Sequence, residues 1–314
     1  MLSVRTDHDD IEVLLPPAVH RFGERTRVRI TGNPDGPVIA ALGGISGNRM
    51  VCRGENGGPG WWAGLVGEGC AIDPDKYRIL GLDFAADPSG CCAPSSHDQA
   101  VVLAAALDAA AIPRLHAIVG GSYGGMVGLS FAEQFANRVE RLVIISAGSE
   151  PHPSATATRE LQRRIVALGI ARGAGAEALA IARGMAMLSY RTPSEFAQRF
   201  GGGLATDDPL ETSQPGAYLR ARGEAFTAVM SPERFLSLSA SIDRHRVDPS
   251  RIAHPTLLIG ATTDQLVPPS QTAALAAELA GETELHLLDF QCGHDMFLVE
   301  AAAVGRLVEP FLSR

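Results

Sequence analysis

The sequence predicts an α/β protein: a mostly parallel central sheet with helices on both faces and a helical cap inserted into it. Three observations predict this. Short apolar, β-branched runs alternate with helical runs over residues 1–150 and again over 251–314, the pattern of a parallel sheet covered on both faces. Between 151 and 250 the alternation stops and helical patterns follow one another. The stretch Val119-Gly120-Gly121-Ser122-Tyr123-Gly124-Gly125 sits between an apolar run and a small-residue helical run. Residues 1–150 and 251–314 are therefore read as the core domain and 151–250 as the cap.

Strands are predicted at 27–30 and 38–42, split by the turn Asn33-Pro34-Asp35-Gly36-Pro37. The loop Gly43-Gly44-Ile45-Ser46-Gly47-Asn48-Arg49 follows. It lacks the Gly-Lys-Ser/Thr ending of a phosphate-binding loop. After a stretch holding Trp61 and Trp62 come a strand at 77–82 and a helix at 97–112 with Ser96 as its cap. A strand at 115–119, a helix at 126–135 and a strand at 142–146 complete the first half of the core. The cap holds helical runs at 155–168, 176–188, 194–200, 217–229 and 232–242. Strands at 256–260 and 285–288 and a last helix at 297–311 close the chain.

Composition narrows the function. The chain has 314 residues, 46% of them apolar, enough for an ample core. A net charge of −8 argues against nucleic acid or an anionic membrane as the main partner, and the basic run 159–164 reads as a solvated helix face. The first ten residues have no apolar signal region, and no run of about 18 apolar residues reads as a membrane span. The five cysteines, 52, 70, 91, 92 and 292, form no even framework, so free thiols in the cytoplasm are expected. A Cys91–Cys92 bridge would be strained, and Cys292 reads as a packing residue. No histidine pair or Cys/His spacing suggests a metal, and His245 reads as a surface or packing residue.

The chemistry centres on Ser122. Gly-x-Ser-x-Gly between a strand and a helix is the context of a nucleophile elbow, which presents the serine Oγ at a helix N-terminus. Serine needs a base and the base an orienting acid, in the chain order Ser, Asp or Glu, His. Asp264 lies just past the strand at 256–260, and His294 in the loop after the strand at 285–288. Competing acids are Asp243, Asp248 and Asp289, the last only five residues before His294 and better suited to a turn. The oxyanion donors are expected to be the N–H of Tyr123 and one from the loop at Gly43 and Gly44. Together these features predict the α/β-hydrolase fold and acyl transfer through an acyl-serine.

The chain also resembles the homoserine O-acyltransferases of the α/β-hydrolase superfamily, from Ala41 to Glu300. The likeness rests on Leu42-Gly43-Gly44-Ile45-Ser46-Gly47-Asn48-Arg49, on Ser122-Tyr123-Gly124-Gly125-Met126, and on Arg183 followed by Tyr190-Arg191-Thr192. Tyr218-Leu219 with Gly223-Glu224-Ala225-Phe226, and Ser241-Ile242-Asp243-Arg244-His245, extend it. Gly293-His294-Asp295-Met296-Phe297-Leu298 is its most specific part. The resemblance implies ping-pong transfer from acyl-CoA, used as a co-substrate with no bound cofactor, to L-homoserine. It also implies a cytoplasmic homodimer in methionine-type amino-acid biosynthesis. Arg183, Tyr190 and Asp295 match the residues that hold the amino acid in that family. A zwitterion needs both a cation and an anion at fixed geometry.

The chain is shorter than the common acetyl-transferring members, and its Gly-Gly-Ile-Ser loop is closer to a bacterial subgroup linked with succinyl transfer. Succinyl is therefore favoured slightly over acetyl. Arg49 stands as a candidate for the distal carboxylate of a succinyl group, with a surface position or a pair with Glu55 as alternatives. Serine as acceptor, water as acceptor in an esterase or thioesterase, and a non-catalytic binding protein of the same fold are the competing readings.

Overall fold

A computed structural model describes residues 8–54, 57–201, 203, 207–209 and 213–314. Its strands are β1 (His8–Leu14), β2 (Arg25–Gly32), β3 (Val38–Leu42), β4 (Arg78–Leu82), β5 (Leu115–Gly121), β6 (Val139–Ile145), β7 (Thr256–Ala261) and β8 (Thr283–Leu288). They form one sheet in the order β1-β2-β4-β3-β5-β6-β7-β8. Pairing is antiparallel from β1 through β2 to β4 and parallel from β4 to β8.

The central strands are continuous apolar runs because both of their faces are covered. Ile118, Leu142, Ile144 and Leu258 point into one core. Ala117, Val119, Val143, Ile145, Leu257 and Ile259 point into the other. This is the period-two alternation of a strand, with apolar residues in both phases. The first core is closed by α1 (Ser96–Ala109), α2 (Tyr123–Gln134) and α8 (Pro269–Glu278). The second is closed by α9 (Met296–Val299), α10 (Ala301–Leu312) and the loop carrying Trp62.

Between β6 and β7 lie α3 (Pro153–Ile170), α4 (Gly175–Tyr190), α5 (Pro193–Arg199), α6 (Gln214–Thr227) and α7 (Pro232–Asp243). Thr192, Ser213 and Ser231 cap α5, α6 and α7, and a proline in the first two positions of each presets the helical φ. Register puts Gly121 beside Ile145 and Ala261 beside Leu288. The segments that follow β5, β7 and β8 therefore leave the sheet at one carboxyl edge, where open α/β sheets place their sites.

Several elements differ from the sequence expectation. β1 is an added edge strand whose Asp-Asp and Glu disguise it as a charged tail. α8 lies in a stretch, between the strands at 256–260 and 285–288, to which the sequence reading assigns no element. The last helix is two, parted at Glu300 with φ −105° and ψ 33°. The cap of α1 is Ser95, which forms a reciprocal box with Asp98, and not Ser96, which lies inside the helix and is buried. Among the described residues no helix is long and apolar enough to cross a membrane.

Candidate active site

β5 delivers Ser122 and α2 begins at Tyr123, the residue after it. Ser122 has φ 53° and ψ −118°, strained for an L-residue. The strain is held by bonds on both sides. Its N–H donates to the Ile145 carbonyl of β6 at 2.8 Å, and its own carbonyl accepts from Gly125 at 2.9 Å. Two glycines make the turn feasible. A Cβ on Gly120 would stand 2.4 Å from the Gly124 carbonyl oxygen, and one on Gly124 would stand 2.2 Å from that of Leu42. The second approach presses the start of α2 against the end of β3 and brings the loop after Leu42 beside the serine.

His294 Nε2 accepts from Ser122 Oγ at 2.8 Å, and Nδ1–H donates to Asp264 Oδ2 at 2.7 Å. Asp264 is held in turn, its Oδ1 accepting from the N–H groups of Leu266 at 2.8 Å and Val267 at 3.0 Å. His294 and Asp264 are both buried. Burial pushes the imidazole toward its neutral form, but the charge and hydrogen bond of Asp264, with help from Asp295, outweigh it and hold the pKa above the ordinary histidine value. The acid alternatives are engaged elsewhere: Asp243 with two arginines, Asp248 with Ser250, and Asp289 with Thr262.

A cavity of about 1130 Å³, counted out to its open mouth, lies over Ser122 and His294. Its floor comes from Gly44 to Gly47 and Asp295, and its roof from α3 and α4, including Arg159, Arg183 and Tyr190. The sequence thus supplies a serine, base and acid in line, in a pocket that admits a substrate.

A profile of the α/β-hydrolase fold matches residues 50–301. Homoserine O-succinyltransferase from Xanthomonas campestris pv. campestris is 41% identical over 286 residues, covering 90% of this chain and 78% of that protein. The chain belongs to the homoserine O-acyltransferases. Homoserine O-acetyltransferase from Thermus thermophilus is 31% identical over 287 residues, covering 82% of this chain and 73% of that protein. The crystal structure of homoserine O-acetyltransferase from Bacillus anthracis superposes with a TM-score of 0.85 at 14% identity, covering 98% and 97% of the two chains, a likeness of fold.

Within this acyltransferase fold, the remaining expected residues separate into two groups. Arg183, Tyr190 and Asp295 all line the cavity. The Arg183 guanidinium lies between the rings of Tyr190, at 5.0 Å, and Phe226, at 4.7 Å, and has no carboxylate partner among the described residues. Asp295 Oδ2 accepts from Arg191 Nε at 3.0 Å, and Arg191 also holds Glu195 at 3.0 Å. Arg191 was not singled out in the sequence, although its opposite charge four residues before Glu195 was a signal.

Arg49 is the correction. It does not line the cavity, and its guanidinium is buried against Asp83 at 3.0 Å and Asp10 at 3.3 Å. Asp10, held mainly by its hydrogen bond from Arg29, has its pKa lowered to about 2, so this cluster stays charged. Arg49 joins the edge strand to the sheet and is not placed to meet an acyl group; the Glu55 alternative lies outside the described residues. The basic run of α3 also departs from expectation. Arg159 and Arg163 are mostly buried and bond Asp243 at 2.6 Å each, where a solvated face was expected. All five cysteines are free, and burial pushes Cys292 up to about 11, which suits packing.

A second Ser–His contact lies outside the cavity. Ser96 Oγ donates to His245 Nδ1 at 2.7 Å and accepts from Ser130 Oγ at 2.8 Å, while His245 Nε2–H donates to the Gly148 carbonyl at 3.0 Å. Among the described residues no carboxylate bonds this ring, and both residues are buried. It is a buried polar chain with its partners satisfied.

Proposed function

We propose that the chain transfers a succinyl group from succinyl-CoA to the hydroxyl of L-homoserine through a succinyl-Ser122 intermediate. The observation that carries this reading is one cavity that joins the Ser122–His294–Asp264 chain to a cation without a carboxylate, Arg183, and an acid, Asp295. A hydrolase needs the first set alone. An amino-acid acceptor needs the other two, one for its carboxylate and one for its ammonium. The 41% identity to a homoserine O-succinyltransferase favours succinyl over acetyl.

In the first half-reaction the Ser122 oxygen attacks the thioester carbonyl while His294 takes the serine proton. The C–S bond breaks and that proton leaves on the CoA sulfur. In the second, His294 takes the homoserine hydroxyl proton, the alkoxide attacks the acyl carbon, and the proton returns to Ser122 as its ester bond breaks. Asp264 keeps Nδ1 protonated and stabilises the imidazolium. The N–H of Tyr123 and one from the Gly43–Gly44 loop are assigned to the developing oxyanion. Helices α3 to α7 serve as a cap that limits water. The family resemblance further implies a cytoplasmic homodimer feeding methionine-type biosynthesis.

The test is thiol release from succinyl-CoA and acetyl-CoA, each with and without L-homoserine or L-serine. Steady release from succinyl-CoA that requires homoserine is expected. Release indifferent to the amino acid would establish hydrolysis and overturn the transferase reading.

A further inference from the structure

The loop that carries His294 meets the cap at the joint between α4 and α5, residue by residue. Thr192 Oγ1 donates to the Gln291 carbonyl at 2.7 Å. A Cβ on Gly293, whose φ is 58°, would stand 2.7 Å from the Tyr190 carbonyl oxygen. The Tyr190 ring lies 5.9 Å from that of His294. Arg191 Nε donates to Asp295 Oδ2 at 3.0 Å. The shape of the joint follows from its sequence. Pro193 disfavours helical backbone at Thr192, so α4 stops and Arg191 and Thr192 are extended, with ψ 155° and 153°. α5 then starts on the Thr192 cap, and its first turn returns Glu195 to Arg191.

Three charges are thereby set in a row. Arg191 Nη1 donates to both oxygens of Glu195, at 3.0 and 3.3 Å. Exposures of 13%, 15% and 21% at Asp295, Arg191 and Glu195 leave little solvent to screen them. An Arg191–Asp295 pair alone would be neutral and would hold an ammonium weakly. Glu195 offsets the guanidinium, so the row of two carboxylates and one guanidinium stays negative. Arg199 reaches Glu195 only at 3.7 Å and is 44% exposed, a screened contact. Asp295 lines the cavity, whereas Arg191 and Glu195 do not, and its Oδ1 makes no hydrogen bond among the described residues.

The joint also bears on the positive side of the cavity. Tyr190 stacks on the Arg183 guanidinium at 5.0 Å, and the next residue fastens Asp295. The spacing of the two charges that an amino-acid acceptor needs therefore passes through one joint. Attachment of the loop does not call for the ion row. The Thr192 hydrogen bond and the close approach of Gly293 to Tyr190 already fasten it, and apolar packing braces a buried contact at least as well as ions do.

We infer that Arg191, with its charge offset by Glu195, is a positioning residue for the acceptor: it holds one oxygen of Asp295, leaves the other to the cavity, and keeps the row negative for the acceptor's ammonium. This rests on the transferase reading and adds to it two residues that act through Asp295 without lining the cavity.

The experiment separates the two half-reactions. Acylation of Ser122 is read as burst thiol release and intact mass, with whichever of succinyl-CoA and acetyl-CoA acylates the protein. Discharge of the acyl-enzyme is then followed against L-homoserine and against 4-hydroxybutyrate, which keeps the hydroxyl and carboxylate and lacks the ammonium. The wild-type protein is expected to favour homoserine by about 10- to 100-fold, the value of one charge-assisted hydrogen bond. Arg191→Met is expected to cut that preference by about tenfold while changing acylation less than about threefold, and Arg191→Lys to restore part of it. Glu195→Gln is expected to raise the half-saturating homoserine concentration by about 3- to 10-fold and to leave discharge by 4-hydroxybutyrate unchanged. Equal damage to acylation and discharge, or to both acceptors, in a folded Arg191→Met would make the arginine a structural brace and overturn the inference. Should Arg191→Met fail to fold, Glu195→Gln decides: an unchanged preference overturns it. Equal use of the two acceptors by the wild-type protein would overturn it without any variant. Failure of the wild-type acyl-enzyme to form, or its discharge by water alone, would instead overturn the transferase reading, and this inference with it.

Discussion

Ser122 and Ser96 each meet a histidine, at 2.8 and 2.7 Å, and the two contacts are indistinguishable by distance. Their surroundings differ in three ways. His294 is oriented by a carboxylate, whereas His245 is oriented by a carbonyl. Ser122 is a strained residue lining a cavity, whereas Ser96 lies within a helix at 0% exposure. Burial lowers the pKa of both rings; at His294 the neighbouring acid outweighs it and leaves the pKa raised, whereas at His245, with no such acid, it falls to about 4. A hydrogen bond between serine and histidine is thus no sign of a nucleophile. The third group and an open path to the oxygen are what distinguish the pair.

The largest break in the comparison is expected from Ser122→Ala. Acyl transfer should fall by about 10⁴-fold or more, while Ser96→Ala stays within about twofold, measured as thiol release. Equal losses would mean that the wrong pair was assigned. Asp264→Asn should follow, lowering kcat by roughly 10³- to 10⁴-fold with the fold intact, because the asparagine favours the wrong tautomer; circular dichroism alongside the kinetics separates this from unfolding.

The pH dependences sharpen the contrast. Acylation needs neutral His294, so the acid limb of its pH–rate profile should have a midpoint above the ordinary 6.5. For stability the two rings act in opposite senses. The raised pKa of His294 contributes fully below 6.5, and that contribution is lost as pH rises through its folded value. The lowered pKa of His245 makes stability fall as pH drops from 6.5 toward 4, because the unfolded chain binds a proton that the native ring refuses. Denaturant titrations of the wild type and a His245→Asn variant across that range would reveal the difference. Ser96→Ala has the smallest expected effect, about 1–3 kcal/mol of stability from leaving its buried partners unsatisfied, read as a shifted denaturation midpoint.

Much of the site was legible because its parts sit where apolar runs end. Ser122 and Asp264 each follow a buried strand, and His294 follows the half-exposed edge strand β8, so locating the strands located the residues. Asp295 and Arg183 were legible only through family resemblance, since an acid or an arginine at a helix has ordinary explanations. What escaped depended on long-range partners. Arg49 meets Asp83 and Asp10 across the sheet, and Arg159 and Arg163 converge on Asp243 from another helix. Side-chain choice among such partners is decided by packing, which leaves no local period. β1 escaped for a related reason: it is an edge strand, and its outward carboxylates are what an edge tolerates.

The nucleophile and its base also differ in how firmly the chain holds them. Ser122 is clamped among β3, β5 and β6 at the centre of the sheet, whereas His294 hangs from a loop beyond β8, the last strand, which is partly open to solvent along its length. Fraying at that margin takes away the base while the serine stays in place. On gentle heating activity is therefore expected to fall before the fold melts, and amide hydrogen exchange should be faster in the segment from 283 to 295 than around the serine.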